Sequence, residues 1–593
     1  METHLNAHFN MKLRLLLLSA FAILSLKGQE IHRVDPPNWW LGHPMDTVEV
    51  LIKGKGLEGH GLSVPKEAGE VLEWGAYGSQ YLWVQFRIKP SFKGQSFPLS
   101  IGDTTVDFSL LERNKHRPLG LSDRDLVYLI TPDRFHNGDP TNDDVPGMRE
   151  QGVNRAEPYA RHGGDLKGVQ MGLDYVRGLG ATAVWLNPVL ENDMERDSYH
   201  GYAITDHYAV DKRYGGNEAM AELVEAMHEK GLKHVMDIVY NHWGSAHYLH
   251  QDLPDSAMVH WNEDGSVPYS SFRFAAMTDP YARSEDVHRF EKGWFAGAMP
   301  DLNQEHPLVK SYLKYSTLWY VEMFDVDALR CDTYAFSHPN FLADLNRTLK
   351  RVYPELFIFG ETWAYSEASQ LYFAPNDAVS TGWTGNDAVT DFTLWRAIHQ
   401  MYGADESEQF GWASGAGALY YRLAADYLYE RPEDLVIFLD NHDDGRFLGQ
   451  HGLDTAKLKS ALQLLYSMRG IPVLYYGTEL GMSGHENHGA IREDMPGFSG
   501  DFPDYTKIGG DLLSLCQELG ASRAERGSTS IVQHVPEQGM YVLDLESENG
   551  SERLVVNATD REQRYERDGL SIVLKAWEAR TIRMELDTHE SNH

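Results

Sequence analysis

A short apolar run, Val326-Asp327-Ala328-Leu329-Arg330-Cys331-Asp332, closes on two side chains of opposite charge. The run reads as a buried strand. Alternate side chains share a face of a strand, so Arg330 and Asp332 point one way and Leu329 and Cys331 the other. A guanidinium two residues back is expected to keep the Asp332 carboxylate ionised, able to attack as a nucleophile. An isolated pair of this kind also reads as a structural ion pair, and three further stretches weigh against that. Leu356 to Gly360 is a second apolar strand that ends on Glu361, with Trp363 beside it. Upstream, His234 to Val239 runs into Tyr240, Asn241 and His242. Downstream, Leu435 to Leu439 runs into Asp440, Asn441, His442, Asp443 and Asp444.

Between Asp332 and Glu361 lies a helix signal: Ser337 as cap, Pro339 in the first turn, then Phe341, Leu342, Leu345, Leu349 and Val352 at helical spacing. Four apolar strands in one alternating β/α region each deliver carboxylate or imidazole at the C-terminal end. That arrangement predicts an α/β fold, a (β/α)₈ TIM barrel, in which such ends converge on one face carrying the active site. Leu126 to Thr131 reads as its first strand, Ala183 to Asn187 as the second, Ala388 to Phe392 as the sixth and Ile471 to Tyr476 as the eighth. The interval from Asp237 to Asp332 far exceeds one βα unit, and its surplus, about 243 to 305, is rich in aromatics and loops. Residues 30 to 115 and 526 to 586 read as β-sandwiches flanking a barrel of about 124 to 525, because their apolar runs alternate and glycines break them.

The four strand-end segments, D-x-V-x-N-H at Asp237 to His242, R-x-D at Arg330 to Asp332, G-E-x-W at Gly360 to Trp363 and N-H-D at Asn441 to Asp443, resemble the α-amylase family of glycoside hydrolases. Each is weak alone, and the four in order are specific. The resemblance implies Asp332 as nucleophile, Glu361 as general acid/base and Asp443 as the carboxylate that stabilises the transition state. It places His200, Tyr202, His242, Arg330, Trp363 and His442 against substrate, with Tyr202 under the reacting sugar ring. It also implies that the surplus after the third strand is the family's small domain B. Met299-Pro300-Asp301-Leu302-Asn303 resembles the signature of the neopullulanase and cyclomaltodextrinase branch. The chemistry expected is a retaining double displacement. A carboxylic acid protonates the departing oxygen while a carboxylate attacks the anomeric carbon. Glu361 must then hold a proton, for which Trp363 is read as a desolvating neighbour. The substrates implied are α-1,4-linked maltooligosaccharides, cyclodextrins, pullulan or starch, with α-1,6 bonds as an addition. A transglycosylase of the same family and a non-catalytic starch-binding component are the rival readings. Two positions depart from the family pattern: Cys331 stands for an aliphatic residue, and Asp444-Gly445 follows N-H-D where Thr and a small residue are usual.

After the first strand, Asn137, Asp139, Asn142 and Asp143 surround a glycine turn, and oxygen-rich side chains of this kind suit a hard cation such as Ca²⁺. They equally suit a plain turn. Together with Gly163 and Asp165 the run resembles the structural calcium site of the neopullulanase group, which implies all six as ligands, Gly163 through its carbonyl. The opening Asp35-Pro36-Pro37-Asn38-Trp39-Trp40 resembles the N-terminal domain of the same branch, in which that domain often mediates a homodimer that narrows the active site. The Trp39-Trp40 pair either packs or contacts sugar or the partner copy.

A net charge of −34 argues against nucleic acid and anionic membranes as partners, and a neutral sugar makes no demand on it. With two cysteines in the chain, a disulfide scaffold and a cysteine-based zinc site are excluded. Lys12 and Arg14 precede the apolar run Leu15 to Leu26, the layout of a cleaved signal peptide over residues 1 to 28 with Met11 as the true start. The run is too short to span a membrane. Export, ending in the periplasm, is the expectation.

Overall fold

The computed structural model describes residues 29–114, 117–376, 383–404, 413–507 and 509–584. The expected signal peptide lies outside the described residues.

The N-terminal unit carries two four-stranded sheets. One has the order Glu30–Asp35, Thr47–Lys55, Tyr81–Ile88, Gly69–Tyr77, all antiparallel. The other has the order Asn38–Leu41, Thr104–Glu112, Ser96–Ile101, Leu62–Ser63, with the first pair parallel. Period-two alternation turns Val84 and Phe86 of the first sheet inward. There the Phe86 ring meets Phe97 and Phe108 of the second sheet at centroid distances of 5.8 and 5.4 Å. Trp39 and Trp40 are 0% and 3% exposed, and the Trp39 indole donates to the Met45 carbonyl at 3.0 Å. The pair is packed, which corrects the reading of it as a sugar or partner contact.

The barrel is present as expected. Its parallel sheet has the order Ala388–Val389, Phe357–Gly360, Ala328–Asp332, Lys233–Val239, Ala183–Leu186, Val127–Ile130, Ile471–Tyr475, Val436–Phe438. A parallel bridge from Thr390 to Val436 joins the two ends of the series. These strands are almost wholly buried, as a sheet covered on both faces must be.

Two local expectations need correction. The sixth strand stops at Val389, because Asp391 leaves the ladder to cap the helix Phe392–Gly403 by accepting from the Leu394 N–H at 2.9 Å. Ser337 does not cap Pro339–Val352. His338 occupies the cap position with no side-chain bond, and Pro339 fills the first turn.

The segment between the third strand and the helix Pro307–Met323 has short helices such as Ser284–Glu291 and isolated bridges rather than a regular sheet. After the last barrel helix, Gly510–Arg526, come an antiparallel sheet of Ser530–His534, Met540–Ser547, Gly550–Asn557 and Ala579–Met584 and a hairpin of Gln563–Arg567 with Leu570–Leu574. Met540, Val542, Val555, Tyr565 and Leu574 form one core between them. Among the described residues no helix is long and apolar enough to cross a membrane.

Candidate active site

Sheet register does the first part of the positioning. Asp237 of the third barrel strand and Arg330 of the fourth are direct partners in the parallel ladder, so both side chains enter the barrel at one level. Arg330 is 1% exposed. Its Nη1 donates to Asp237 Oδ1 at 2.8 Å and to Asp332 Oδ1 at 2.7 Å, and its Nη2 pairs with Glu361 Oε1. Three carboxyl groups therefore share one guanidinium. Asp332 is the last residue of its strand, and Thr333 turns the chain sharply, with φ at +44°. That turn aims the Thr333 N–H at Glu361 Oε2, 2.9 Å away, and the Thr333 hydroxyl at Asp332 Oδ2, 3.0 Å away. Gly360 is needed where it stands, since a Cβ there would lie 2.5 Å from the Tyr334 ring.

Asp443 comes from the loop after the seventh strand. Asn441 Oδ1 accepts from the Asp443 N–H at 2.8 Å and fixes the turn. His442 Nε2 lies 3.1 Å from Asp443 Oδ2, and Arg492 Nη2 donates to Asp443 Oδ1 at 2.7 Å. Arg492 Nε also donates to the His442 carbonyl at 2.8 Å. Tyr202 stacks on His442 with ring centroids 5.4 Å apart and planes 8° from parallel. Its hydroxyl donates to Asp237 Oδ2 at 3.0 Å and lies 2.6 Å from His442 Nε2. His200 accepts the Tyr202 N–H on Nδ1 at 2.9 Å. His242 stacks on Phe295 at 5.6 Å. Trp363 stacks on Phe392 at 4.4 Å.

These groups line one cavity of about 940 Å³, shared by Asp332, Glu361, Asp443, His200, Tyr202, His242 and Trp363. It is roomy enough for a ligand of several sugar rings. Phe272, Phe295 and Phe336 form an apolar wall. Arg330 and His442 sit behind the lining, in contact with residues that form it.

Electrostatics divide the carboxyl groups. Burial pushes Glu361 up, against the pull of Arg330. Burial also pushes Asp332 up, which corrects the expectation that Arg330 alone holds it low: one guanidinium is divided among three buried acids. Asp237 is pushed up to about 7, burial being the first cause. Asp443 lies well below its ordinary value despite burial, because His442 and Arg492 favour its charge. Burial holds His242 down at about 4 and His200 at about 3, so both imidazoles are neutral near pH 7.

The oxygen-rich loop is also assembled. Asn137 Nδ2 donates to Asp143 Oδ1 at 2.8 Å, and Asn142 Nδ2 points to Asp165 Oδ2 at 3.4 Å. Asp139 turns its carboxylate to Thr141, accepting the N–H at 3.1 Å. Asp165 caps the helix Leu166–Met171, accepting the Gly168 N–H at 2.6 Å. Gly163 has φ at +93°, and a Cβ there would lie 2.4 Å from Asp143 Oδ1. Asn137 Oδ1 and Asn142 Oδ1 are buried with no hydrogen-bond partner among the described residues. No cluster of three or more His, Cys, Asp or Glu poised for a metal occurs among the described residues.

Sequence reading missed Arg492, Thr333 and the phenylalanine wall. Arg492 stands in Ile491-Arg492-Glu493-Asp494, where nothing local separates it from an ordinary surface charge. Asp444, which stands where the family pattern has Thr, is 9% exposed and does not line the cavity.

Residues 129–511 match the family described as alpha amylase, catalytic domain, and residues 33–114 match cyclomaltodextrinase, N-terminal. Among curated proteins, the chain is 32% identical over 384 residues to the beta/alpha-amylase of Paenibacillus polymyxa, covering 62% of this chain and 28% of that protein. It is 30% identical over 364 residues to a cyclomaltodextrinase of a Bacillus species, covering 61% and 60%. It is 30% identical over 367 residues to neopullulanase 2 of Thermoactinomyces vulgaris, covering 60% and 57%. The matched stretch thus spans 28% to 60% of the length of these relatives. Among solved structures, the α-amylase of Geobacillus thermoleovorans complexed with acarbose superposes with a TM-score of 0.65 at 27% identity, covering 79% of this chain and 99% of that one. With the catalytic-domain match running over 129–511 of 593 residues and the four strand-end segments meeting around one cavity, the chain belongs to the alpha-amylase family.

Proposed function

We propose that the protein is a retaining hydrolase of α-1,4-glucosidic bonds, with α-1,6 bonds as a second target, acting on maltooligosaccharides, cyclodextrins, pullulan or starch. The observation that carries this is the meeting of Asp332 and Glu361 on two nitrogens of one guanidinium at the cavity wall. Sharing Arg330 brings both carboxyls to one place at the cavity wall, where one can attack while the other gives its proton, as a retaining mechanism requires. Relatives named cyclomaltodextrinase, neopullulanase and maltogenic α-amylase support the substrate class.

Asp332 attacks the anomeric carbon while Glu361 gives its proton to the departing oxygen. Asp237, Asp332 and Glu361 compete around Arg330, and the proposal leaves the proton on Glu361, which burial favours. Asp443 stays charged and faces the oxocarbenium-like centre, since His442 and Arg492 hold it ionised. Tyr202, fixed on His442 and Asp237, offers an aromatic face to the ring. Neutral His200 and His242 bond sugar hydroxyls. Water then attacks the anomeric carbon as Glu361 takes its proton, the glycosyl–Asp332 ester bond breaks, and Asp332 leaves as a carboxylate. A transglycosylase would use the same residues with a sugar hydroxyl in place of that water.

Incubation with maltoheptaose, a cyclodextrin, pullulan and starch tests this. New reducing ends are expected, appearing first as the α-anomer by proton NMR. No release from any of the four, or release of the β-anomer, would refute the reading.

We also propose a structural Ca²⁺ held by Asn137, Asp139, Asn142, Asp143, Asp165 and the Gly163 carbonyl. The donor set fits: it is all oxygen, and two amide oxygens are buried without partners among the described residues. None of these residues belongs to the reacting group, so the ion would steady a loop and enter no chemical step. EDTA is expected to lower the melting temperature without abolishing catalysis, since an ion bound to the folded state alone stabilises by mass action. An unchanged melting temperature in excess EDTA, with no metal by elemental analysis, leaves a plain turn. Association of two copies through the N-terminal sandwich and export to the periplasm remain proposals; the first loses Trp39 and Trp40 as its contact.

A further inference from the structure

Phe272 stands out in the cavity wall for its backbone. Its φ is +52°, a left-handed conformation that bulky apolar residues rarely adopt. No short polar side chain is present to ease the turn, as Asn or Asp would. The chain is pinned on both sides instead. Ser270 Oγ accepts the Phe272 N–H at 3.2 Å, and the Phe272 carbonyl accepts the Phe274 N–H at 3.1 Å. Phe274 is 7% exposed, anchored between Phe290 and Phe373 at 6.0 and 5.3 Å. The outcome is an apolar ring that lines the cavity and yet is 54% exposed. Phe295 and Phe336 steady it from the side, at centroid distances of 5.2 and 6.2 Å with planes 86° and 64° apart. Strain that displays a greasy side chain inside a reaction cavity calls for a ligand that covers it.

The contacts of the lining residues say which part of a glucan comes here. One group gathers round Asp443: Arg492 Nη2 lies 2.7 Å and His488 Nδ1 3.6 Å from Asp443 Oδ1. Tyr159 joins that group by donating its hydroxyl to Asn487 at 3.3 Å, next to His488. The phenylalanine wall is tied to the acid instead. Phe336 ends the turn Tyr334–Phe336, and Thr333 at the head of that turn donates its N–H to Glu361 Oε2 at 2.9 Å. Glu361 gives its proton to the departing oxygen, so the sugar that departs lies at the wall's end of the cavity. A glucose ring is amphipathic, with hydroxyls round its edge and C–H groups on its faces, and such a face suits an aromatic ring.

We propose that Phe272 is a specificity-determining residue, its ring receiving the C–H face of a glucose unit on the departing side of the scissile bond. This rests on the reading of Glu361 as the general acid and deepens the proposed function. Binding energy collected there speeds cleavage of substrates that carry sugar beyond the bond and does nothing for those that do not.

The test compares kcat/KM on maltoheptaose and on α-maltosyl fluoride for the full-length protein, Phe272→Ala and Phe272→Tyr. The fluoride places two sugars before the bond and none after it. Phe272→Ala is expected to lose about tenfold on maltoheptaose, the worth of one good ring contact. On the fluoride it is expected to stay within about twofold of wild type. Phe272→Tyr, which keeps the planar face, is expected to retain most of the activity on both. Equal losses by the Ala variant on the two substrates would mean that the ring only shapes the site and would overturn the proposal, as would no loss on either. Should the Ala variant fail to fold, Phe272→Leu, apolar but without a planar face, is read in the same way. A wild-type protein that cleaves neither substrate sinks the reading of the active site; one that cleaves both, with Phe272→Ala unchanged on maltoheptaose, sinks the present inference alone.

Discussion

Under the proposed hydrolysis of α-glucans, Asp332→Asn and Glu361→Gln are each expected to leave a folded protein that turns over about four orders of magnitude more slowly. Both substitutions keep volume and remove one function. Asp332→Asn replaces the attacking oxygen with an amide that cannot form a glycosyl ester. It leaves the side chain between Arg330 and the Thr333 hydroxyl, so local geometry is retained. Glu361→Gln can still accept from the Thr333 N–H but has no proton to give. The two losses should differ with leaving group. A substrate that departs without protonation restores the first step of Glu361→Gln but not that of Asp332→Asn, and leaves the second step of the Gln variant still without its base. Equal behaviour on aryl and sugar leaving groups would contradict the division of roles. A tenth of wild-type activity in either purified variant would remove that residue from the reaction.

Arg330→Met gives the largest expected loss of stability. Arg330 holds Asp237, Asp332 and Glu361, all at most 6% exposed. Removing the shared cation leaves three buried carboxyls to repel one another or take up protons. Breaking a buried pair in this way costs about 3–5 kcal/mol. The melting temperature should fall clearly at pH 7 and less at low pH, where protonated carboxyls no longer need the cation. Activity should vanish even where the variant is folded, since Asp332 would carry a proton. Arg330→Lys recovers part of the stability and little activity, because one ammonium cannot reproduce a planar fork that reaches both Asp332 and Glu361. A wild-type melting temperature for Arg330→Met would show that the three carboxyls are protonated in the native protein and owe nothing to the guanidinium.

The pairing of local pattern with backbone physics made much of this protein legible from sequence. Ala328–Asp332, Phe357–Gly360 and Lys233–Val239 are apolar runs that end in charge, and a strand buried on both faces must read that way. Strand parity places Arg330 and Asp332 on one side. Each carboxylate or imidazole at such an end had to reach the same barrel face, and the resemblance of the four segments to the α-amylase family singled out Asp332, Glu361 and Asp443 among them. Pro339 likewise marks the start of its helix, because its ring is preset for the first turn.

What tertiary structure alone decided is who meets whom across the chain, and at what electrostatic cost. Arg492 lies 49 residues beyond Asp443, in a loop with no periodicity, yet it bonds Asp443 at 2.7 Å. The sixth strand is shorter than its apolar run because Asp391 finds a helix N-terminus and Arg422 as partners, contacts invisible to a local pattern. Most telling is the carboxyl cluster. Sequence pairs Arg330 with Asp332, gives Asp237 the role of positioning Arg330, and predicts an Asp332 carboxylate held low. Folding brings Asp237 and Glu361 to the same guanidinium and strips water from all of them, which reverses the direction for Asp332. Residue types and their spacing determine which groups can react; desolvation and the division of charge depend on every neighbour within a few ångströms, and only the packed chain sets those neighbours.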